Sequence, residues 1–260
     1  MEHDTFEGFP LSPQQRLQWF LQQDPVYFLN AIHGRILVEG ELDIAVFQAA
    51  LAEVINHHEI LRTTFRSLPG LNVPLQCISG ASPFSVHHFQ LSELSSQEQE
   101  QKIAALINET MLIPFDYERG PLLQLTLLTL APQKHILSIK ASTLCLDAAS
   151  IPYLLQEISA AYALCLEHKE WTETSLQYAD IAAWENELLE SEEAAQGRAY
   201  WASSIPSDAC LLRLPGETFT AENRLPGEAH HTIELDEAIL AQAESCKERF
   251  DSSLSLLLLT

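Results

Sequence analysis

The chain has 260 residues, 47% of them hydrophobic, and carries 36 acidic against 14 basic residues for a formal net charge of −22. That is an ordinary packed-globule composition, but its negative field repels a nucleic-acid backbone and an anionic bilayer, so neither is expected as a partner. The five cysteines (Cys77, Cys145, Cys165, Cys210 and Cys246) are odd in number and widely spaced, with no CxxC. They argue against a disulfide scaffold and a zinc site and suit a reducing compartment.

The first residues, Met1-Glu2-His3-Asp4, are unlike a signal peptide. No run approaches the ~18 apolar residues of a membrane span, so a cytoplasmic location is expected. Pro10 to Gln23 reads as an amphipathic helix carrying Leu11, Trp19 and Phe20. A short strand from Gly34 to Gly40 follows, then a helix that Asp43 can cap. Its apolar residues Phe47, Ala50, Leu51, Val54 and Ile55 fall at i, i+3, i+4, i+7 and i+8, a stripe that should face the core. The chain turns extended over His57 to Phe65, and Pro69-Gly70 signals a turn. A strand is expected over Val73 to Ile78 and a helix over Ser95 to Leu112, burying Ile103, Leu106 and Ile107. Leu122 to Leu130 and His135 to Ala141 read as strands around the turn Ala131 to Lys134. A helix then runs from beyond Asp147 to about His168, with Pro152 tolerated in its first turn.

From Glu173 the texture changes. Trp184 and Trp201 flank an acidic helical stretch, Glu185 to Glu193, and Pro206, Pro215 and Pro226 mark an irregular segment. His231 to Leu235 reads as a strand and Asp236 to Phe250 as a helix. Leu254 to Thr260 reads as a buried helix cut off after it starts, so the chain is expected to be a fragment of something longer. Strands and helices do not alternate as a regular βαβ series, which points to a mixed sheet packed with helices. A boundary is placed near residue 175.

The most favourable place for chemistry is the turn Ser142-Thr143-Leu144-Cys145-Leu146-Asp147-Ala148-Ala149-Ser150. It joins a strand end to a helix N-terminus, where free N–H groups stabilise negative charge. Asp147 could orient a base, and Ser142, Thr143 and Ser150 could donate hydrogen bonds. Only Cys145 could have a pKa near neutrality, so a general base would have to come from elsewhere. Blander readings stand beside these. Asp147 can equally pair with Arg62 as a buried structural ion pair, Ser150 can cap the helix, and Cys145 between two leucines can be a small core residue. The adjacent pairs His57-His58, His87-His88 and His230-His231 cannot face one ligand, and no HExxH occurs, so no metal is expected. There is also no GxSxG elbow, P-loop or dinucleotide fingerprint.

Six short stretches then resemble one family. Pro10-Leu11-Ser12-Pro13-Gln14-Gln15 with Trp19-Phe20-Leu21 is similar to the first core motif of nonribosomal peptide synthetase condensation domains. His58 to Phe65 resembles their second, RHExLRTxF. Pro114-Phe115-Asp116 and Gly120-Pro121-Leu122 match later elements. Tyr178 to Trp184 resembles YxDYAxW, and Ala199-Tyr200-Trp201 an element beyond it. The resemblance implies an α/β, chloramphenicol acetyltransferase-like lobe over 1–175, with 176–260 as the crossover and the truncated start of a second, similar lobe. It implies no directly bound cofactor. Substrates would arrive on the phosphopantetheine of an acyl or peptidyl carrier protein, beside adjacent synthetase domains and in some cases a tailoring enzyme.

The departures fall on the turn. The family's HHxxxDG aligns with Ser142 at the first histidine, Thr143 at the second and Ala148 at the glycine, while Asp147 and its expected partner Arg62 remain. A threonine hydroxyl is no base at neutral pH, so the role credited to the second histidine does not carry over. Thr143 and Ser142 are left as degenerate site positions, with Ser150, Cys145 and His58 as further contributors. The favoured expectation is an interface or recruitment domain that makes no peptide bond. The alternative is an active variant, heterocyclisation included, since Asp147-Ala148-Ala149-Ser150 fits the DxxS of that relative.

Overall fold

The computed structural model describes residues 8–22, 31–80, 86–172, 174–205, 233–250 and 252–259. In chain order the elements are β1 (Gly8–Phe9), α1 (Pro13–Gln22), β2 (Ala31–Glu39), α2 (Ile44–His57), a 3-10 turn (Glu59–Arg62) and β3 (Thr63–Arg66). Then come β4 (Leu75–Ile78), β5 (Val86–Gln90), α3 (Ser96–Leu112), β6 (Leu123–Ala131), β7 (Lys134–Ser142) and α4 (Ser150–Leu166). The last are α5 (Tyr178–Glu190), α6 (Ala195–Ser204), α7 (Glu237–Phe250) and α8 (Leu254–Leu259).

The larger sheet has the order β2-β7-β6-β5. β2, β7 and β6 pair antiparallel and β5 joins parallel to β6, which makes the sheet mixed as expected. Leucines and isoleucines of β6 and β7 alternate along the strands, so Leu125, Leu127, Leu137 and Ile139 share one buried face. The stripe of α2 covers that face together with Leu154 and Ile158 of α4. All five stripe residues are buried, and Asp43 caps α2 by accepting from Ala45 N and Val46 N at 2.9 and 3.1 Å.

The opposite face meets α3, where Ile103 packs on Leu91 and Leu128, with Leu106 and Ile107 partly buried beside them. Ser95 and Glu98 close a capping box at its start. At its other end Lys140 of β7 donates from Nζ to the carbonyls of Thr110 (2.8 Å) and Ile113 and lies over the Phe115 ring. A lysine is thus buried in the sheet by satisfying orphan carbonyls at a helix C-terminus. Its burial pushes its pKa below the usual lysine value.

The smaller sheet, β1-β4-β3, is antiparallel. Between it and the Ser142–Ser150 turn lies a separate apolar cluster of Leu11, Phe65, Leu122 and Leu144.

Several boundaries differ from those the sequence suggests. α1 begins at Pro13: Leu11 is buried in the cluster beside the small sheet, and the carbonyl of the exposed Pro10 accepts from Gln76 Nε2 at 2.8 Å, while Phe20 is exposed. β5 and β1 lack the alternation that would mark them, and β5 exists because it pairs with β6. Of the strand expected over His231 to Leu235, residues 233–235 are irregular and the rest lies outside the described residues, as do Pro206, Pro215 and Pro226. Two units separate, 1–220 and 221–260. In the second, Asp236 accepts from Ile239 N at 2.8 Å at the start of α7, and α8 contacts α7. No helix among the described residues is long and apolar enough to cross a membrane.

Candidate functional site

The turn after β7 is held from both sides. Leu144 is buried in the cluster of the small sheet, and Leu146 packs against the main core. Backbone bonds from Cys145 N and Leu146 N to the Ser142 carbonyl, at 2.9 and 3.1 Å, close the turn. Ser142 is fully buried; its hydroxyl accepts the Leu144 N–H at 3.2 Å and is hydrogen-bonded to Tyr117. Burial is the main cause that pushes the Tyr117 phenol up. Ser142 is therefore part of the turn's framework.

Gln15 supplies a support that the sequence motifs do not reveal. It is buried, and its Nε2 donates to the Leu144 carbonyl at 3.0 Å and to Gln76 Oε1 at 3.2 Å, while its Oε1 accepts Ser12 N at 3.0 Å. Ser12 in turn hydrogen-bonds the Tyr178 hydroxyl at 2.8 Å, and Asn186 Nδ2 donates to the Leu11 carbonyl at 2.9 Å. The first motif thus ties the turn to α5. The signal available in the sequence is a glutamine pair beside a proline at a helix start, which does not tell a buried glutamine from an exposed one.

Thr143, half-buried, lines a cleft of about 580 Å³. Gln14, Gln18, Asp147, Gln177 and Tyr178 share its walls, and so does His58. Thr143 Oγ1 donates to Gln18 Oε1 at 3.5 Å. Cys145 also faces the cleft, but burial pushes its thiol up to about 12, far from a nucleophile's range. It serves as the small core residue of the blander reading.

Asp147 and Arg62 are not brought together. Asp147 accepts from Ser150 N at 2.8 Å and from Ser150 Oγ at 2.5 Å, bonds that hold its carboxyl below the usual aspartate value. Arg62 lies at the end of the 3-10 turn and points the other way, with Nη1 donating to the Ser79 carbonyl and Nη2 to Glu59 at 3.2 Å. The expected ion pair between the two is thus not formed. The helix-capping role expected of Ser150 also moves: Ser150 is the first residue of α4, and Asp147 accepts its N–H. Asp147 remains a structural residue of the turn, through a different partner.

His58 is the histidine of this cleft. Its Nε2 is hydrogen-bonded to Glu157 of α4, a pair that is partly exposed on both sides. His57 stacks on Trp171 with ring centroids 4.6 Å apart. The bend between them is fixed by Gln177, which accepts Glu59 N at 2.9 Å and donates to the His57 carbonyl at 3.0 Å.

Comparison with known proteins agrees with this architecture. A family model described as "Condensation domain" matches residues 7–260. One of the linear gramicidin synthase proteins of Brevibacillus parabrevis is 34% identical over 253 residues, covering 96% of this chain but only 3% of that protein. Among solved structures, the complex of the X-domain and OxyB from teicoplanin biosynthesis superposes with TM-score 0.66 at 26% identity, over 77% of this chain and 44% of that one. The starter condensation domain of rhizomide synthetase RzmA superposes with TM-score 0.67 at 22% identity, over 77% and 48%, which shows the shared fold. The mixed sheet, the helices on it and the matched motifs together place the chain in the condensation-domain family of nonribosomal peptide synthetases.

Proposed function

We propose that this chain is part of a condensation domain that holds carrier-tethered aminoacyl or peptidyl intermediates and acts as an interface or recruitment element, without the family's usual histidine step. The observation that carries this reading is Thr143 on the cleft wall at the second-histidine position. Its neighbours on the turn supply no base for neutral pH: Ser142 is buried in the framework, Cys145 is pushed up to about 12, and Asp147 is a weakly basic carboxylate. Proton abstraction needs a group titrating near the working pH.

The lining suits binding. The Gln14 and Gln18 amides and the Thr143 hydroxyl can meet an amide-bearing phosphopantetheine arm, on a wall that Gln177 and Tyr178 hold in place through their own bonds to His57, Glu59 and Ser12. Such an arm would be delivered by a carrier protein in the cytoplasm, next to adjacent synthetase domains. The teicoplanin neighbour, named as a complex with OxyB, supports recruitment of a tailoring enzyme as one use of this fold. Calorimetry of the full-length domain against a loaded carrier protein and the pathway's tailoring enzyme tests the reading. Binding of either without turnover of loaded carriers is the expected result. Absence of binding to both overturns it.

One observation favours a second reading, an active variant domain. His58 lines the same cleft, and Glu157 holds its ring. Positioning of two tethered substrates can itself supply roughly 7–11 kcal/mol, with His58 as proton acceptor. In that case the full-length domain turns over loaded carriers, and both Thr143→Val and His58→Gln slow it. A full-length domain that turns nothing over removes this alternative.

A further inference from the structure

The 3-10 turn Glu59–Arg62 has a second side. There β3, β4 and the loop from Glu118 to Leu122 enclose another cavity, of about 320 Å³. Three arginines line it: Arg62, Arg66 and Arg119. They are three of only 14 basic residues in a chain of net charge −22, so three on one small lining is a local concentration of positive charge. Thr63, Thr64 and Ser79 add polar groups to the same lining.

Among the described residues the lining holds three arginines and one carboxylate, Glu118. Glu59 reaches Arg62 Nη2 at 3.2 Å from behind the turn. Arg62 is nonetheless under-satisfied. Its side chain is only 15% exposed, yet its Nε has no hydrogen-bond partner. A buried donor left unpaired is costly.

The wall opposite is shaped for close approach. Gly120 has φ +66°, and a Cβ there would stand 3.4 Å from Thr64 Cγ2, at the tight end of van der Waals contact. Any side chain would be strained at that φ and crowd the threonine that borders the cavity. Glycine at 120 therefore keeps the loop's turn beside Thr64.

The geometry points to an oxyanion site: this cavity binds a phosphate group, carried on a small organic monoester or as the free ion. Planar guanidinium forks match tetrahedral oxyanions through paired N–H donors, and two or more of them make such sites selective over chloride. The apolar remainder of the lining, Leu61, Ile78, Pro121 and Leu122, gives an organic ester further surface that inorganic phosphate cannot use. The site is separate from the Thr143 cleft and does not rest on the function proposed for that cleft. Carrier binding can fail while phosphate binding stands, and the reverse.

The test titrates the chain with inorganic phosphate, phenyl phosphate and, as an uncharged control, phenol, following binding by calorimetry. The same titrations are made on Arg119→Ala and on Arg66→Ala/Arg119→Ala, with circular dichroism to verify folding. Arg62 is left unchanged because it also holds the Ser79 carbonyl. Both phosphates should bind the parent chain, and the double variant should weaken them roughly tenfold or more. Phenyl phosphate binding tighter than inorganic phosphate assigns the site to an organic ester, and equal affinities assign it to the free ion. If the double variant fails to fold, Arg119→Ala alone, an exposed position, carries the comparison. Unchanged phosphate affinity in a folded variant overturns the proposal, as does phenol binding as well as phenyl phosphate.

Discussion

Gln15 donates from Nε2 to the carbonyl of Leu144 at 3.0 Å, linking the start of α1 to the middle of the candidate turn across 129 residues of sequence. The same amide serves Gln76 and Ser12, so one buried side chain satisfies three separate segments. Gln15→Leu keeps the volume but removes every one of those bonds. It leaves Gln76 Oε1 and the Leu144 carbonyl buried without this donor, at about 1–3 kcal/mol each. The expected loss is about 2–6 kcal/mol in urea unfolding, with the midpoint lowered and the slope unchanged. A variant as stable as the parent would show that the turn stands without this support.

How far the sequence reveals this arrangement depends on the kind of signal. The α2 stripe, the Asp43 cap, the α3 start and the β6–β7 hairpin come from local periodicity and capping chemistry, and the structure has them within a few residues. β5 is different. Val86 to Gln90 contains two polar histidines and no alternation, and it becomes a strand only because β6 offers a parallel edge. The site shows the same division. The position of Thr143 on a cleft at a strand end is legible from the turn and the motif order. The partners of Arg62 and Asp147 are not, since a pattern of spaced residues does not say which way each side chain leaves its turn.

Asp147 gives a pH-dependent prediction. Its bonds from Ser150 N and Oγ favour the ionised form, so its folded pKa lies below the unfolded value of ~3.9. Its contribution is therefore fully present above the unfolded value and is lost as pH falls through the folded one. Asp147→Ala should cost about 0.5–1 kcal/mol at neutral pH, the scale of a helix-start acceptor at an exposed position. The gap between variant and parent should close under acid. A gap that stayed constant down to strongly acidic pH would mean that the loss is one of packing instead of charge.

Ser12 and Tyr178 join the first motif to α5 through a 2.8 Å hydrogen bond, with Ser12 fully buried. Burial pushes the Tyr178 phenol up, so it stays a neutral donor or acceptor over the physiological range. A double-mutant cycle of Ser12→Ala and Tyr178→Phe should return a coupling of about 1 kcal/mol. Additive single effects would mean that α5 is held by apolar contact, by Asn186 and by Gln177 at its start. The cycle matters for the cleft because Tyr178 and Gln177 line it together with Thr143, and a loosened α5 would widen it.

Cys145 sits two residues from Thr143 and faces the same cleft, so its reactivity separates a nucleophile from a packing residue. A thiol pushed up to about 12 holds roughly a thousandfold less thiolate at mildly alkaline pH than a free cysteine at ~8.5. Cys246, exposed on α7, supplies the internal reference. Under native alkylation with iodoacetamide, read by peptide mass spectrometry, the exposed Cys246 should be modified in the folded chain and Cys145 only after unfolding. Gln15→Leu, by releasing the Leu144 carbonyl, should raise the Cys145 rate while leaving Cys246 unchanged. Rapid modification of Cys145 in the folded parent would return it to the nucleophile candidates. The cleft would then contain a covalent chemistry that Thr143 and Asp147 do not provide.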